Sequence, residues 1–178
     1  MKKISIIGNA CSGKTSLSRA LAKRYNLPLT HVDSIQFLSE MRIRDPNETR
    51  KILEEIACQE EWIIEGLGPL KIIESRLKKS DVIILIRLPL WQSYYWGLKR
   101  QLWGFFSRQQ RTELPPNSNE FTFKQSLKLA RTIWNVHHGL WPQLDRILSR
   151  EHYKNKVKIV RRLSELKYLF KMGIDKQL

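Results

Sequence analysis

The chain has 178 residues, 42% of them hydrophobic and 28% charged, which is the balance of a soluble globular protein with enough length for one core. No apolar run approaches a membrane span and residues 4–7 are too few for a signal peptide, so a cytoplasmic protein without membrane contact is expected. Two cysteines, Cys11 and Cys58, exclude a disulfide framework or cysteine metal cluster, while a net charge of +15 directs attention to anionic partners.

The first predicted strand, residues 4–7, runs into Gly8-Asn9-Ala10-Cys11-Ser12-Gly13-Lys14-Thr15-Ser16. GxxxxGK[ST] between a strand and a helix is the phosphate-loop pattern. Successive backbone N–H groups of such a loop point inward and cradle the β-phosphate of a nucleotide where the next helix begins, near Lys14. Gly8 and Gly13 admit the backbone angles and the close approach of the phosphate. The Lys14 ammonium reaches the β- and γ-phosphates, and the Thr15 hydroxyl is a hard oxygen ligand for Mg²⁺. A nucleotide carrying a γ-phosphate, together with Mg²⁺, is therefore the expected ligand. Residues 15–25 place Leu17, Leu21 and Ala22 on one helical face, and Asn26-Leu27-Pro28 ends that helix.

A second strand over residues 29–32 closes on Asp33. A strand–helix–strand start with a phosphate loop at its first turn implies a parallel sheet with right-handed crossovers. Asp33 then lies at the carboxyl edge, where it can hold an acceptor hydroxyl or help with Mg²⁺; the other reading is a helix N-cap. His31 reads as packing or as support behind the site. Arg42 and Arg44 suit either the anionic group of a second substrate or a solvated surface. They precede a helix that Asp45 caps and Pro46 starts, running to about residue 59. Residues 62–66, Trp-Ile-Ile-Glu-Gly, form an apolar strand with an acid at its tip, the Walker-B form, so Glu65 is the candidate carboxylate that orients a water or the metal beside Thr15; the other reading is an ordinary strand-end acid.

A short helix over 69–79 and a buried strand over 81–86 follow. From 89 to 111, Leu90, Tyr94, Leu98 and Leu102 recur at every fourth position beside Trp91, Tyr95 and Phe106, predicting a long helix whose aromatic face is core. Arg108 and Arg111, with a loop broken by Pro115 and Pro116, are candidates for a lid at about 100–122 that stabilises charge on a transferring group. Leu127, Ala130, Trp134, His137, Trp141, Leu144 and Leu148 continue a helical stripe, which Gly139 and Pro142 are expected to split into two helices or kink. The last strand covers 156–160, and Arg161 after it is placed to frame a nucleotide base. Residues 82–178 hold 18 Lys/Arg against 6 Asp/Glu, a charge that attracts nucleic acid non-specifically.

By order and spacing the chain resembles the adenylate-kinase-like P-loop kinases. More closely, it is similar to the adenylate-kinase-related DNA topology modulation (FlaR-type) proteins. The resemblance spans nearly the whole chain and is carried by IIGNACSGKTSLSRALA, LTHVDSIQFL, EEWIIEG and DVIILIRLPLW with LKRQL after it. It implies one domain over residues 1–178 with the P-loop NTPase fold: a three-layer α/β/α arrangement, five parallel strands in order 2-3-1-4-5, helices on both faces and a helical lid. It implies ATP, Mg²⁺ and γ-phosphoryl transfer to a small-molecule acceptor of the nucleoside or nucleotide class. On this chain Lys14 and Thr15 become the phosphate and metal residues, Glu65 the Walker-B acid in place of the family's usual Asp, Arg100 and Arg111 lid arginines, and Asp33 an acceptor-side residue. The alternative is a nucleotide-dependent regulator associated with nucleic acid. Monomer and dimer are both compatible with these residues.

Overall fold

The computed structural model describes residues 1–39, 42–68, 70–107 and 123–174. Five strands, β1 (Lys3–Gly8), β2 (Leu29–His31), β3 (Trp62–Glu65), β4 (Val82–Ile86) and β5 (Val157–Val160), pair in parallel in the order β2-β3-β1-β4-β5. This is the expected sheet. Register brings the carboxyl ends together, with His31 beside Glu65, Glu65 beside Ile6, and Gly8 beside Ile86.

The alternation of strand side chains separates two cores. On one face Ile4, Ile6, Ile63, Ile84 and Ile86 pack with Leu17 and Leu21 of α1 (Lys14–Tyr25) and Leu166 and Leu169 of α8 (Leu163–Met172). On the other, Ile7, Ile83 and Leu85 meet Ile73 and Leu77 of α4 (Leu70–Lys79) and Trp141, Leu144 and Ile147 of α7 (Trp141–Leu148). Trp62 and Ile64 extend that second face against Leu53 and Ala57 of α3 (Pro46–Cys58). Each such side chain contributes roughly 1.5–3 kcal/mol by leaving water, so the sheet is fixed from both sides. No helix among the described residues is long and apolar enough to cross a membrane.

Local chemistry sets the helix ends. Asp45 Oδ1 accepts from the Asn47 and Glu48 N–H groups at 2.9 and 3.1 Å, with Pro46 at the first helical position, as the sequence predicts. Helix α1 starts at Gly13 (φ 83°) and stops at Asn26 (φ 51°), both left-handed.

Two expectations change. β2 stops at His31, and Asp33 lies instead in the first turn of a short helix, α2 (Val32–Gln36). In α5 (Leu90–Ser107) the aromatic stripe is not core: Trp91 is 65% and Trp103 67% exposed, and Tyr95, Leu98 and Leu102 are exposed with them. The buried face is Gln92, Ser93, Gly97, Gln101 and Gly104. It is buried because small residues let α5 approach α6 (Phe123–Asn135): a Cβ on Gly97 would lie 3.5 Å from Ile133, and Tyr94 Oη donates to the Ala130 carbonyl at 3.3 Å. Gly139 and Pro142 mark the expected break into two helices. α6 passes through a π-helical turn, Val136–Leu140, into α7, the Trp141 N–H donating five residues back to Val136. Pro142 sits in the first turn of α7, where the missing N–H leaves little unmade. The proposed lid beyond residue 107, with Arg108 and Arg111, lies outside the described residues.

Candidate active site

The loop between β1 and α1 is a cradle built by conformation. Cys11 (φ 55°) and Gly13 (φ 83°) both have positive φ. A Cβ on Gly8 would fall 2.5 Å from Ser12 Oγ and 3.2 Å from Ile86 Cβ, so only glycine fits the turn. Asn9 ties the loop down, its Nδ2 donating to the Ile133 carbonyl at 2.9 Å and its Oδ1 accepting from the Ala10 N–H at 2.7 Å. Ser12 Oγ is buried and has no hydrogen-bond partner among the described residues. A buried hydroxyl of that kind inside a phosphate loop is a group for a ligand oxygen.

Lys14, Thr15 and Glu65 converge as expected. Lys14 Nζ donates to the Asn9 carbonyl at 3.2 Å and lies 3.8 Å from Glu65 Oε1. Thr15 Oγ1 donates to Glu65 Oε2 at 3.2 Å. The same oxygen is 2.7 Å from His31 Nδ1. Only 4% of Glu65 is exposed. Burial acts to raise its carboxyl, but the His31 hydrogen bond, the Lys14 charge and the Thr15 hydroxyl outweigh it and hold the group below its ordinary 4.5. It is therefore ionised and acceptor-only, which makes Nδ1 of His31 the donor.

The sign of that shift predicts an acid sensitivity. A depressed carboxylate contributes stability that is present above the unfolded value of 4.5 and lost as pH falls toward the folded value. Urea unfolding measured from about pH 6 down to about pH 3 should fall more steeply for the wild type than for Glu65→Gln.

Arg76 braces the turn after Glu65. Its side chain is fully buried in α4 and donates to the Gly66 carbonyl, while Nε and Nη1 have no partner among the described residues. Burial pushes this guanidinium down to about 10, with Glu65 pulling the other way. Arg44, by contrast, is occupied with the Ile35 carbonyl at 2.8 Å and with Glu48, and serves the surface loop.

A cavity of about 650 Å³ opens over the loop. Residues 10–16 floor it, Asp33, Gln36 and Phe37 form one side, and Trp96, Arg100, Gln101, Lys128 and Thr132 form the α5–α6 wall. Asp33 and Arg100 thus meet the loop in one space, whereas Gly8, Asn9 and Glu65 build it from behind. Arg161 follows β5 and is not among the lining residues. Sequence reasoning passed over Gln101, Lys128 and Thr132, because their part in the wall depends on how α5 and α6 pack. It also left His31 without a defined partner, although the strand order puts it next to Glu65.

These residues fit ATP and Mg²⁺. The cradle, the orphaned Ser12 hydroxyl and the Lys14 cation suit a polyphosphate. No three His, Cys, Asp or Glu side chains converge among the described residues, and a hydroxyl plus one carboxylate is the sparse hard-oxygen set that Mg²⁺ takes together with substrate phosphates.

Sheet order, loop and flanking helices define the fold of the P-loop kinases. Shikimate kinase from Acinetobacter baumannii in complex with shikimate shares it with a TM-score of 0.56 at 12% identity, covering 99% of this chain and 96% of that one. A gluconokinase from Sinorhizobium meliloti 1021 gives 0.53 at 11% identity over 97% and 90%. Shikimate kinase from Bacteroides thetaiotaomicron gives 0.53 at 14% identity over 96% and 94%. Among curated proteins, tRNA dimethylallyltransferase of Flavobacterium psychrophilum is 60% identical over 40 residues, 22% of this chain and 13% of that protein. This chain therefore matches only a small part of that relative's length. No protein-family model matches the chain.

Proposed function

We propose that the protein is an ATP-dependent phosphotransferase of the cytoplasm that moves the γ-phosphoryl group to a hydroxyl of a small acceptor of the nucleoside or nucleotide class. The observation that carries this reading is the convergence of Lys14 and Thr15 on the floor of a cavity with room for a second substrate, with Glu65 set against both from behind. Bound ATP and Mg²⁺ would supply the transferable group and most of its charge neutralisation. The chain binds the phosphates through the loop N–H groups and Lys14, offers Thr15 and Glu65 to the metal, and sets Arg100 where charge builds on the transferring group. Asp33, across the cavity, accepts the hydrogen bond of the acceptor hydroxyl.

The test is Mg²⁺-dependent ADP release against a panel of nucleosides, nucleoside monophosphates and small hydroxy acids, the last included because a neighbour of the same fold was solved with shikimate. Stimulation by one acceptor supports the reading; ATP binding with no acceptor that stimulates turnover opposes it. Asp33→Asn should raise KM for that acceptor by about tenfold or more, the scale of one hydrogen bond to a charged group, with ATP affinity unchanged.

A second reading rests on the 40-residue match to a tRNA dimethylallyltransferase and on the charge of +15. A loop that grips the β-phosphate of a nucleotide also suits the diphosphate of a dimethylallyl donor, and a basic surface suits tRNA. Incubation with dimethylallyl diphosphate and tRNA, without ATP, separates the two. A modified tRNA favours transfer of the dimethylallyl group; ADP release in the acceptor panel favours phosphoryl transfer. Simple nucleic-acid association that disappears between low and physiological salt would reduce the charge to non-specific attraction.

A further inference from the structure

We infer that His31 is a positioning residue for the metal-side carboxylate: it clamps Glu65 from the β2 side while Thr15 and Lys14 hold it from the β1 side. The inference rests on the kinase reading above.

The sheet order places β3 between β2 and β1, and Glu65 is in register with His31 on one side and Ile6 on the other. Both His31 and Glu65 are the last residues of their strands. His31 Nδ1 donates to Oε2 at 2.7 Å, the oxygen that also takes the Thr15 hydroxyl, while Oε1 faces Lys14. Two donors on one oxygen and a cation near the other leave the carboxylate one orientation. A glutamate needs this more than an aspartate, because its additional methylene adds a rotatable bond between strand and carboxylate.

His31 is itself held. Ser34 Oγ donates to its carbonyl at 2.7 Å, and its neighbour Val32 is fully buried against Gly66. The His31 side chain is 15% exposed, and His31 is not among the residues lining the cavity, so it acts through Glu65 and not on a substrate. Removing its donor would free the carboxylate to rotate, loosening the metal side of the nucleotide site while the loop that binds phosphate stays intact.

The experiment measures ADP binding by calorimetry with and without Mg²⁺, and Mn²⁺ binding by electron paramagnetic resonance, for wild type, His31→Ala and His31→Asn. The Asn side-chain N–H projects from nearly the place of Nδ1–H. Loss of such a supporting partner lowers metal affinity about 10–100-fold. His31→Ala should lose the Mg²⁺-dependent part of ADP binding by about tenfold, with metal-free ADP affinity within about twofold of wild type, and His31→Asn should recover most of it. In turnover, kcat should fall with acceptor KM unchanged. His31→Phe, which keeps the ring and lacks the donor, replaces the alanine variant if that one does not fold. Unchanged Mg²⁺ dependence without the donor, or an Asn variant as impaired as the alanine one, overturns the role of His31 and leaves the kinase reading standing. A wild-type protein that binds no ADP overturns the kinase reading, and this inference with it.

Discussion

Replacing Lys14 by alanine is expected to lower ATP-dependent transfer by about a hundredfold or more, the effect of removing one preorganised charge from a transferring group. The Lys14 side chain is only 13% exposed, and its Nζ is already aimed along the loop by the Asn9 carbonyl and Glu65. Little reorganisation is needed when a phosphate displaces these weak partners, so its contribution should appear in kcat as well as in ATP affinity. The loss should leave the fold in place, because the loop is set by Gly8, Gly13 and the two Asn9 hydrogen bonds. Coupled assay of ADP release, with thermal unfolding of the same sample, checks both parts. Normal turnover by Lys14→Ala would remove the proposed mechanism.

Gly66→Ala is expected to destabilise the fold by about 2–6 kcal/mol. Two effects add. Gly66 has φ 125°, a conformation that strains an L side chain by about 1–3 kcal/mol. Its Cβ would also fall 2.9 Å from Val32 Cβ, overpacking that contributes about another 1–3 kcal/mol. Val32 has no exposed surface and begins α2, so it cannot retreat without shifting His31 and Asp33 beside it. A domain is typically stable by about 5–15 kcal/mol, so this one methyl group takes a large share. Urea unfolding should show a lower midpoint with an unchanged slope. Gly139→Ala is the matched control: its Cβ would meet nothing within 4 Å, and alanine favours a helical position, so stability should hold or rise slightly.

The contrast between these positions shows what was legible in the sequence. The loop, the acid at the tip of β3 and the Asp45 cap are short-range patterns whose meaning lies in the local backbone, and each appears where the residues predict it. The strand order came from resemblance, since no local pattern encodes which strands become neighbours. Burial on α5 was misread for a physical reason. Periodicity reports an apolar stripe, but the face that packs on α6 is chosen by closeness of approach, and Gly97 permits it better than the bulky Trp91 and Leu98 do. Asp33 was assigned to the correct end of the sheet by a strand taken one residue too far. Gln101, Lys128 and Thr132 needed the α5–α6 packing itself, and no spacing in the sequence announces a wall shared by two helices.

The π-helical turn at Val136–Leu140 has a bearing on how this fold diversifies. It joins a helix that supplies cavity wall, through Lys128 and Thr132, to one anchored in the core by Trp141, Leu144 and Ile147. A turn of this kind contains one residue more than an α-helix would use, and one residue corresponds to about 100° of rotation. Removing a residue there would swing the wall around its axis while the anchor keeps its grip on the sheet. A change in chain length within five residues is thus a short evolutionary path to a differently lined chamber, with the hydrophobic foundation preserved and the bond from Asn9 to the Ile133 carbonyl to be remade.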